Sequence, residues 1–200
     1  MKKKLIKKKT NKMKSALMLG VNPNTDVREK DDYYATHPHA VEIMLDKFKE
    51  IGLNNKVWEC ACGEGHISKV LKEAGYNVYS SDLVDRGYGD VKDFLKCTKP
   101  FNGDILTNPP FKLAEKFIEK SMKLIKEGNK AIFFLKVQFL ESKSRKLLFE
   151  KYPPKFVIVN SERQLCSRNG DFENYRATTQ CYCWYVFEKG YTGDTKLMWI

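Results

Sequence analysis

Three features of the chain predict an α/β protein built on a mostly parallel sheet with helices on both faces. Short apolar runs alternate with segments whose apolar residues recur at the helical period, the order expected of strand-helix-strand units. A glycine turn, Gly63-Glu64-Gly65, follows one such run and opens a helical segment. The unbroken apolar run Ala131-Ile132-Phe133-Phe134-Leu135 has the character of a central strand buried on both faces.

Taken in order, Asn22-Pro23-Asn24 reads as loop and Asp31 to Pro38 as the approach to a helix. Apolar residues at 41, 44, 45, 48 and 51 then hold the helical period until Gly52 stops it. Val57-Trp58 begins the first buried strand, the glycine turn follows, and Ile67, Val70, Leu71 and Ala74 make one helical face closed by Gly75. Asn77 to Ser81 is a second strand ending at Asp82, which completes a βαβ unit with an acid about twenty residues beyond its turn. Asp104 to Thr107 is the next strand, and Leu113, Ala114, Phe117, Ile118, Met122 and Ile125 mark a helix that stops near Gly128. Beyond the central strand, Leu140, Leu147 and Leu148 suggest a helix halted by Pro153-Pro154. Phe156 to Val159 and Cys181 to Phe187 read as the last two strands, expected to be antiparallel neighbours because the polar loop from Ser161 to Gln180 carries no helical signal.

The 200 residues suit one domain with a proper core, and 42% apolar with 12% aromatic residues is a globular composition. Eight of the net +11 charges are lysines among the first fourteen residues, where there is no acid. Residues 1–25 therefore read as a basic, disordered tail, either attracted to phosphates or merely solubilising, and residues 26–200 as the single domain. No run approaches the roughly 20 apolar residues needed to cross a bilayer, and a cleavable leader fits poorly, so a cytoplasmic protein of a bacterium or phage-infected cell is expected. Six cysteines include Cys60-x-Cys62 and Cys181-x-Cys183, but this spacing and the three histidines do not suit a zinc site; reduced cysteines and no metal are expected.

Chemistry concentrates in Asn108-Pro109-Pro110-Phe111, directly after the strand Asp104 to Thr107. A strand ending in an amide and two prolines presents hydrogen-bond acceptors where open α/β sheets place their sites, an arrangement suited to holding an amino group. A plain structural turn is the competing explanation. Gly63 and Gly65 allow a sharp turn and close approach to a ligand at the start of the following helix. The full dinucleotide pattern is missing, since its third glycine position falls on Ser68. Asp82 can accept hydrogen bonds from ribose hydroxyls, or serve only as a turn aspartate.

Together these residues resemble class I S-adenosylmethionine-dependent methyltransferases, and within them the amino-methyltransferases whose motif reads Asp/Asn/Ser-Pro-Pro-aromatic. The resemblance covers residues from about 31 to 200. Tyr34-Ala35-Thr36-His37-Pro38 is similar to the group's N-terminal cofactor motif, with His37 inserted, and Glu59 to Gly65 to its cofactor loop, with Cys60 where proline is usual. Asp82 to Gly89, Asp93-Phe94-Leu95 and Trp184 to Gly190 resemble a phage and prophage branch of adenine-specific DNA methyltransferases. The resemblance implies a Rossmann-like fold and S-adenosylmethionine as cofactor. Thr36 and the loop residues Glu59, Cys60, Ala61, Gly63 and Gly65 would hold its methionine part, Asp82 its ribose, and Asp93 and Phe94 its adenine, with Tyr34, Leu83 and Asn108 also binding the cofactor.

The implied reaction is methylation of an exocyclic amine, N6 of adenine in DNA. Such an amine is a poor nucleophile because its lone pair is delocalised into the ring. Asn108 Oδ1 and the Pro109 carbonyl can each accept one amine hydrogen, which directs the lone pair at the methyl. Pro110 stiffens the turn and Phe111 can stack on an extruded base. The tail and Arg163, Arg168 and Arg176 favour a polyanion, DNA before RNA, with Arg163 and Arg168 expected among the substrate contacts. RNA (adenine N6 or guanine N2), a protein glutamine, and a methyltransferase-like protein that binds nucleic acid without turnover are the alternatives. With no room expected for a separate target-recognition domain, sequence would be read by short loops.

Overall fold

The computed structural model describes residues 33–168, 170, 172 and 180–200. The expected tail and Arg176 lie outside them. The strands are β1 (Tyr34–Thr36), β2 (Lys56–Glu59), β3 (Asn77–Asp82), β4 (Asp90–Val91), β5 (Asp104–Thr107), β6 (Lys130–Lys136), β7 (Phe156–Val159), β8 (Cys166–Arg168), β9 (Tyr182–Glu188) and β10 (Lys196–Trp199). The helices are α1 (His39–Glu42), α2 (Leu45–Glu50), α3 (His66–Glu73), α4 (Ala114–Leu124) and α5 (Lys143–Lys151).

Eight strands make one sheet in the order β10-β7-β9-β6-β5-β2-β3-β4. Its strands run parallel except β9, which is antiparallel to both β6 and β7. Period-two alternation divides the core between the two faces. Phe133 and Leu135 of β6, with Tyr185 and Phe187 of β9, pack on the α4 side with Phe117, Ile118 and Met122. Ile132 and Phe134, with Trp184 and Val186, pack on the opposite side with Met44 and Phe48 of the α1–α2 region and with Ile67 and Leu71 of α3. Apolar runs in the central strands and stripes on the helices follow from this double cover.

Two expectations about strands need correction. Phe156–Val159 and the strand at 182–188 are indeed antiparallel neighbours, but the chain continues into β10, which pairs parallel to β7 at the edge, so the antiparallel strand is not the last. The stretch from Ser161 to Gln180 is also more than loop, because β8 pairs antiparallel with β1 in a separate two-stranded ribbon, with Thr36 opposite Cys166. β1, β4 and β8 have two or three residues each, too short for a hydrophobic period to reveal them.

Candidate functional site

Strands β2 and β5 are parallel neighbours, with Trp58 opposite Ile105, yet one chain direction of the sheet continues through β3 and the other through β6. The order reverses between them, and a crevice at their carboxyl ends is where open sheets of this kind bind ligands. The loop after β2, the end of β3 and the turn after β5 all arrive there.

The loop after β2 is bent by Gly63 at φ 53° and Gly65 at φ 80°. A side chain at Gly63 would run into the ring of Tyr33, and one at Gly65 into the ring of Tyr88. The Gly63 amide donates to Asp82 Oδ2 at 2.8 Å, the Val84 amide donates to Asp82 Oδ1 at 3.0 Å, and the Cys62 amide donates to the Ser81 carbonyl at 3.0 Å. Asp82 thus locks the glycine loop to the end of β3. The Tyr33 hydroxyl accepts from the Glu64 amide at 3.3 Å, and the Arg86 guanidinium lies 4.1 Å from the Tyr33 ring centroid.

Glu59, at the end of β2, is 1% exposed and receives hydrogen bonds from the Ser68 hydroxyl and amide; Ser68 Oγ is in turn 2.6 Å from Ser80 Oγ. Burial pushes the Glu59 carboxyl up to about 8, so it holds its proton at neutral pH. Its contacts tie β2, α3 and β3 together beneath the loop. Burial likewise raises the Cys60 thiol well above its ordinary range and the Cys62 thiol to about 12, so neither is a thiolate nucleophile. Ala61 lies between them, half-buried against the core on the α4 side.

Leu83, immediately after Asp82, is 63% exposed and offers an apolar surface beside it. β4 brings Asp93 close by, for Val91 pairs with Asp82 and the Lys92 amide donates to the Asp82 carbonyl at 2.7 Å. The Asp93 carboxylate caps the turn that follows by accepting from the Leu95 amide at 3.1 Å. Phe94 does not face the crevice as expected. It is 2% exposed, with its ring centroid 5.2 Å from Trp58 and 5.0 Å from Phe117, so its surface is consumed by the core.

The turn after β5 supplies the clearest geometry. Asn108 Nδ2 donates to the Tyr34 carbonyl at 2.8 Å and to Thr36 Oγ1 at 2.9 Å, with Cys166 Sγ at 3.8 Å. Asn108 Oδ1 is buried and has no partner among the described residues. The polarity of this amide is fixed by chemistry, since a carbonyl facing the Tyr34 carbonyl would set two acceptors together. Pro109 is buried and Pro110 half-buried, and the Pro110 carbonyl accepts from the Leu113 amide at 2.8 Å. Phe111 stacks on Tyr34 at 5.7 Å between centroids, is 6.3 Å from Tyr182, and lies 5.0 Å from the Lys136 ammonium.

Among the substrate candidates, Arg163 is exposed, while Arg168 closes β8 with its side chain outside the described atoms. Tyr33 and Tyr88 also lie against the loop after β2, and Lys136, Cys166 and Tyr182 against the turn after β5. Pairing and packing alone bring them there, and neither leaves a local sequence signal. Among the described residues, no helix is long and apolar enough to cross a membrane.

No protein-family model matches the chain, and no curated protein matches it in sequence. Solved structures do. A Listeria monocytogenes protein described as a class I S-adenosylmethionine-dependent methyltransferase superposes with a TM-score of 0.61 at 14% identity, covering 88% of this chain and 68% of its own. A Pyrococcus horikoshii protein described as an RNA methyltransferase gives 0.55 at 13% identity, covering 75% of this chain and 83% of its own. The type IIG restriction endonuclease BpuSI gives 0.58 at 12% identity over 80% of this chain, which matches 26% of that enzyme. At such identities the likeness is one of fold: the chain has the Rossmann-like fold seen in class I S-adenosylmethionine-dependent methyltransferases.

Proposed function

We propose that the protein is an S-adenosylmethionine-dependent DNA methyltransferase acting on the N6 amine of adenine. The observation that carries this reading is Asn108, whose amide nitrogen is fully engaged and whose buried oxygen has no donor among the described residues. A buried acceptor without a partner costs about 1–3 kcal/mol, a cost that a site recovers when its ligand brings the donor. An amine hydrogen is such a donor.

The crevice also fits the cofactor. Two glycines in left-handed conformations leave the loop backbone open to close approach, Asp82 offers carboxylate lone pairs beyond those accepting the Gly63 and Val84 amides, and Leu83 provides an exposed apolar surface. Tyr34, Thr36, Glu59, Cys60, Ala61 and Asp93 border this region; Phe94 supports it from the core. When bound, S-adenosylmethionine supplies an electrophilic methyl on a sulfonium. The protein's part is orientation. Asn108 Oδ1 accepts one hydrogen of the target amine and the Pro109 carbonyl the other, which turns the nitrogen lone pair away from the ring. Phe111 gives the base a stacking surface worth roughly 1–3 kcal/mol. A neutral amide cannot take up a full proton, so Asn108 would only hold the amine by its hydrogen; as the N–C bond formed, the methyl–sulfur bond would break to leave the thioether, and the surplus proton on nitrogen would pass to solvent. Positioning supplies the acceleration, with no covalent enzyme intermediate.

Charge argues for a nucleic-acid substrate: the chain carries net +11, and Arg163 is exposed. The test is transfer of labelled methyl to DNA, RNA and protein in parallel, followed by nucleoside analysis. N6-methyladenine in DNA is expected, and Asn108→Ala should reduce it by on the order of 10²-fold or more while cofactor affinity stays within a few-fold. Label appearing only in RNA or protein would replace the substrate, and full activity of Asn108→Ala would sink the mechanism.

A further inference from the structure

The anchoring of the Asn108 amide raises a question that the reaction scheme leaves aside: what keeps Oδ1 aimed. The terminal torsion of asparagine is broad, so a single contact leaves the amide plane free to swing. Here both amide hydrogens have acceptors. One is the Tyr34 carbonyl at 2.8 Å, a main-chain group held by the β1–β8 ribbon, and the other is Thr36 Oγ1 at 2.9 Å. The ribbon's register sets Thr36 directly opposite Cys166, whose sulfur is hydrogen-bonded to the Thr36 hydroxyl and to Tyr182 and lies 3.8 Å from Asn108 Nδ2. A hydrogen-bonded chain thus runs Tyr182, Cys166, Thr36, Asn108, joining β9, β8, β1 and the turn after β5. The thiol is neutral, since burial pushes it up to about 12, and serves as a hydrogen-bonding group rather than a nucleophile.

We infer that Thr36, backed by Cys166, is a positioning residue that fixes the Asn108 amide plane so that Oδ1 meets the target amine. The inference rests on the amine-methylating role proposed above and departs from the expectation that Thr36 serves the cofactor's methionine part. The two assignments differ in what they predict. A residue that contacts cofactor changes cofactor affinity when altered. A residue that orients Asn108 changes turnover.

The test compares Thr36→Val, which keeps the shape and removes the hydroxyl, with Thr36→Ser, which restores it. Thr36→Val should lower kcat roughly 10- to 100-fold, the scale of a misaligned reacting group, with KM for DNA and Kd for S-adenosylmethionine within about twofold of wild type. Thr36→Ser should recover most of the loss. Cys166→Ala should lower kcat roughly threefold to tenfold and Cys166→Ser should recover most of that loss; if the valine variant proves unstable, an unchanged kcat in Cys166→Ala overturns the assignment. Unchanged kcat in Thr36→Val, or weakened cofactor binding at unchanged kcat, would overturn the assignment. A readout free of turnover is the side-chain amide of Asn108 in ¹⁵N-labelled protein, identified by its loss in Asn108→Ala. Both protons should exchange slowly in wild type and one of them faster in Thr36→Val; identical exchange refutes the clamp. An active Asn108→Ala would instead defeat the proposed mechanism, while an inactive Asn108→Ala beside a normal Thr36→Val would defeat the clamp alone.

Discussion

Replacing Glu59 by glutamine should remove a specific pH dependence from the stability of the fold. Glu59 is almost fully buried, and its only described side-chain donors are the hydroxyl and amide of Ser68. Burial raises its carboxyl from an ordinary value near 4.5 to about 8. The folded state therefore binds the proton more tightly than the unfolded chain does. The stability tied to that proton is fully present below about pH 4.5, declines as pH rises, and is gone above about pH 8. One proton corresponds to a slope of about 1.4 kcal/mol per pH unit, so the whole window amounts to on the order of 5 kcal/mol. Glutamine keeps the shape and an acceptor but cannot titrate. Urea unfolding of both proteins at half-unit steps from pH 5 to 8 isolates the effect, because every other group cancels in the difference. The wild type should lose stability relative to Glu59→Gln across this window. Parallel profiles would show that Glu59 is already ionised in the folded protein and that the chain through Ser68 and Ser80 is held by a carboxylate.

Two further outcomes follow from packing. Gly65→Ala places a side chain at φ 80° against the Tyr88 ring and should cost about 1–3 kcal/mol while weakening S-adenosylmethionine binding in calorimetry; unchanged melting and affinity would mean that the ring moves aside freely and that the loop makes no close approach. Trp184 is fully buried, 4.7 Å from Phe134 and 5.5 Å from Phe48 between ring centroids, yet its indole nitrogen has no partner among the described residues. Trp184→Ala should cost about 3–5 kcal/mol in urea unfolding, and Trp184→Phe only about 1 kcal/mol, because it gives up little volume and breaks no hydrogen bond; a Trp184→Phe loss of about 3 kcal/mol or more would show that the indole N–H is satisfied after all.

Apart from the two-residue β4, the order of strands and helices from residue 56 to residue 159 was legible because each of the other main elements is long enough to bury a side of itself and so carries a period. Val57-Trp58, the run at 131–135 and the stripe through Phe117, Ile118 and Met122 are examples, and each packs as its pattern requires. Gly63, Gly65, Asp82 and Asn108 were legible for another reason: their backbone or side-chain chemistry is special wherever it occurs, and the structure gathers all four at the carboxyl ends of β2, β3 and β5. The burial of Phe94 was not legible, since an aromatic beside a suspected site carries the same sequence signal whether it faces ligand or core.

The sequence alone determined the fold class, the glycine turn and the amide after the fourth strand of the main sheet, because period, backbone freedom and side-chain chemistry are local properties. Only the tertiary structure decided which way the Asn108 amide points. Its partners, Tyr34 and Thr36 on β1 and Cys166 on β8, lie 74, 72 and 58 residues away and meet it through an antiparallel ribbon too short to leave a pattern. A hydrogen bond depends on where atoms finish in space, and for residues so far apart in the chain that place is set by the packing of everything between them.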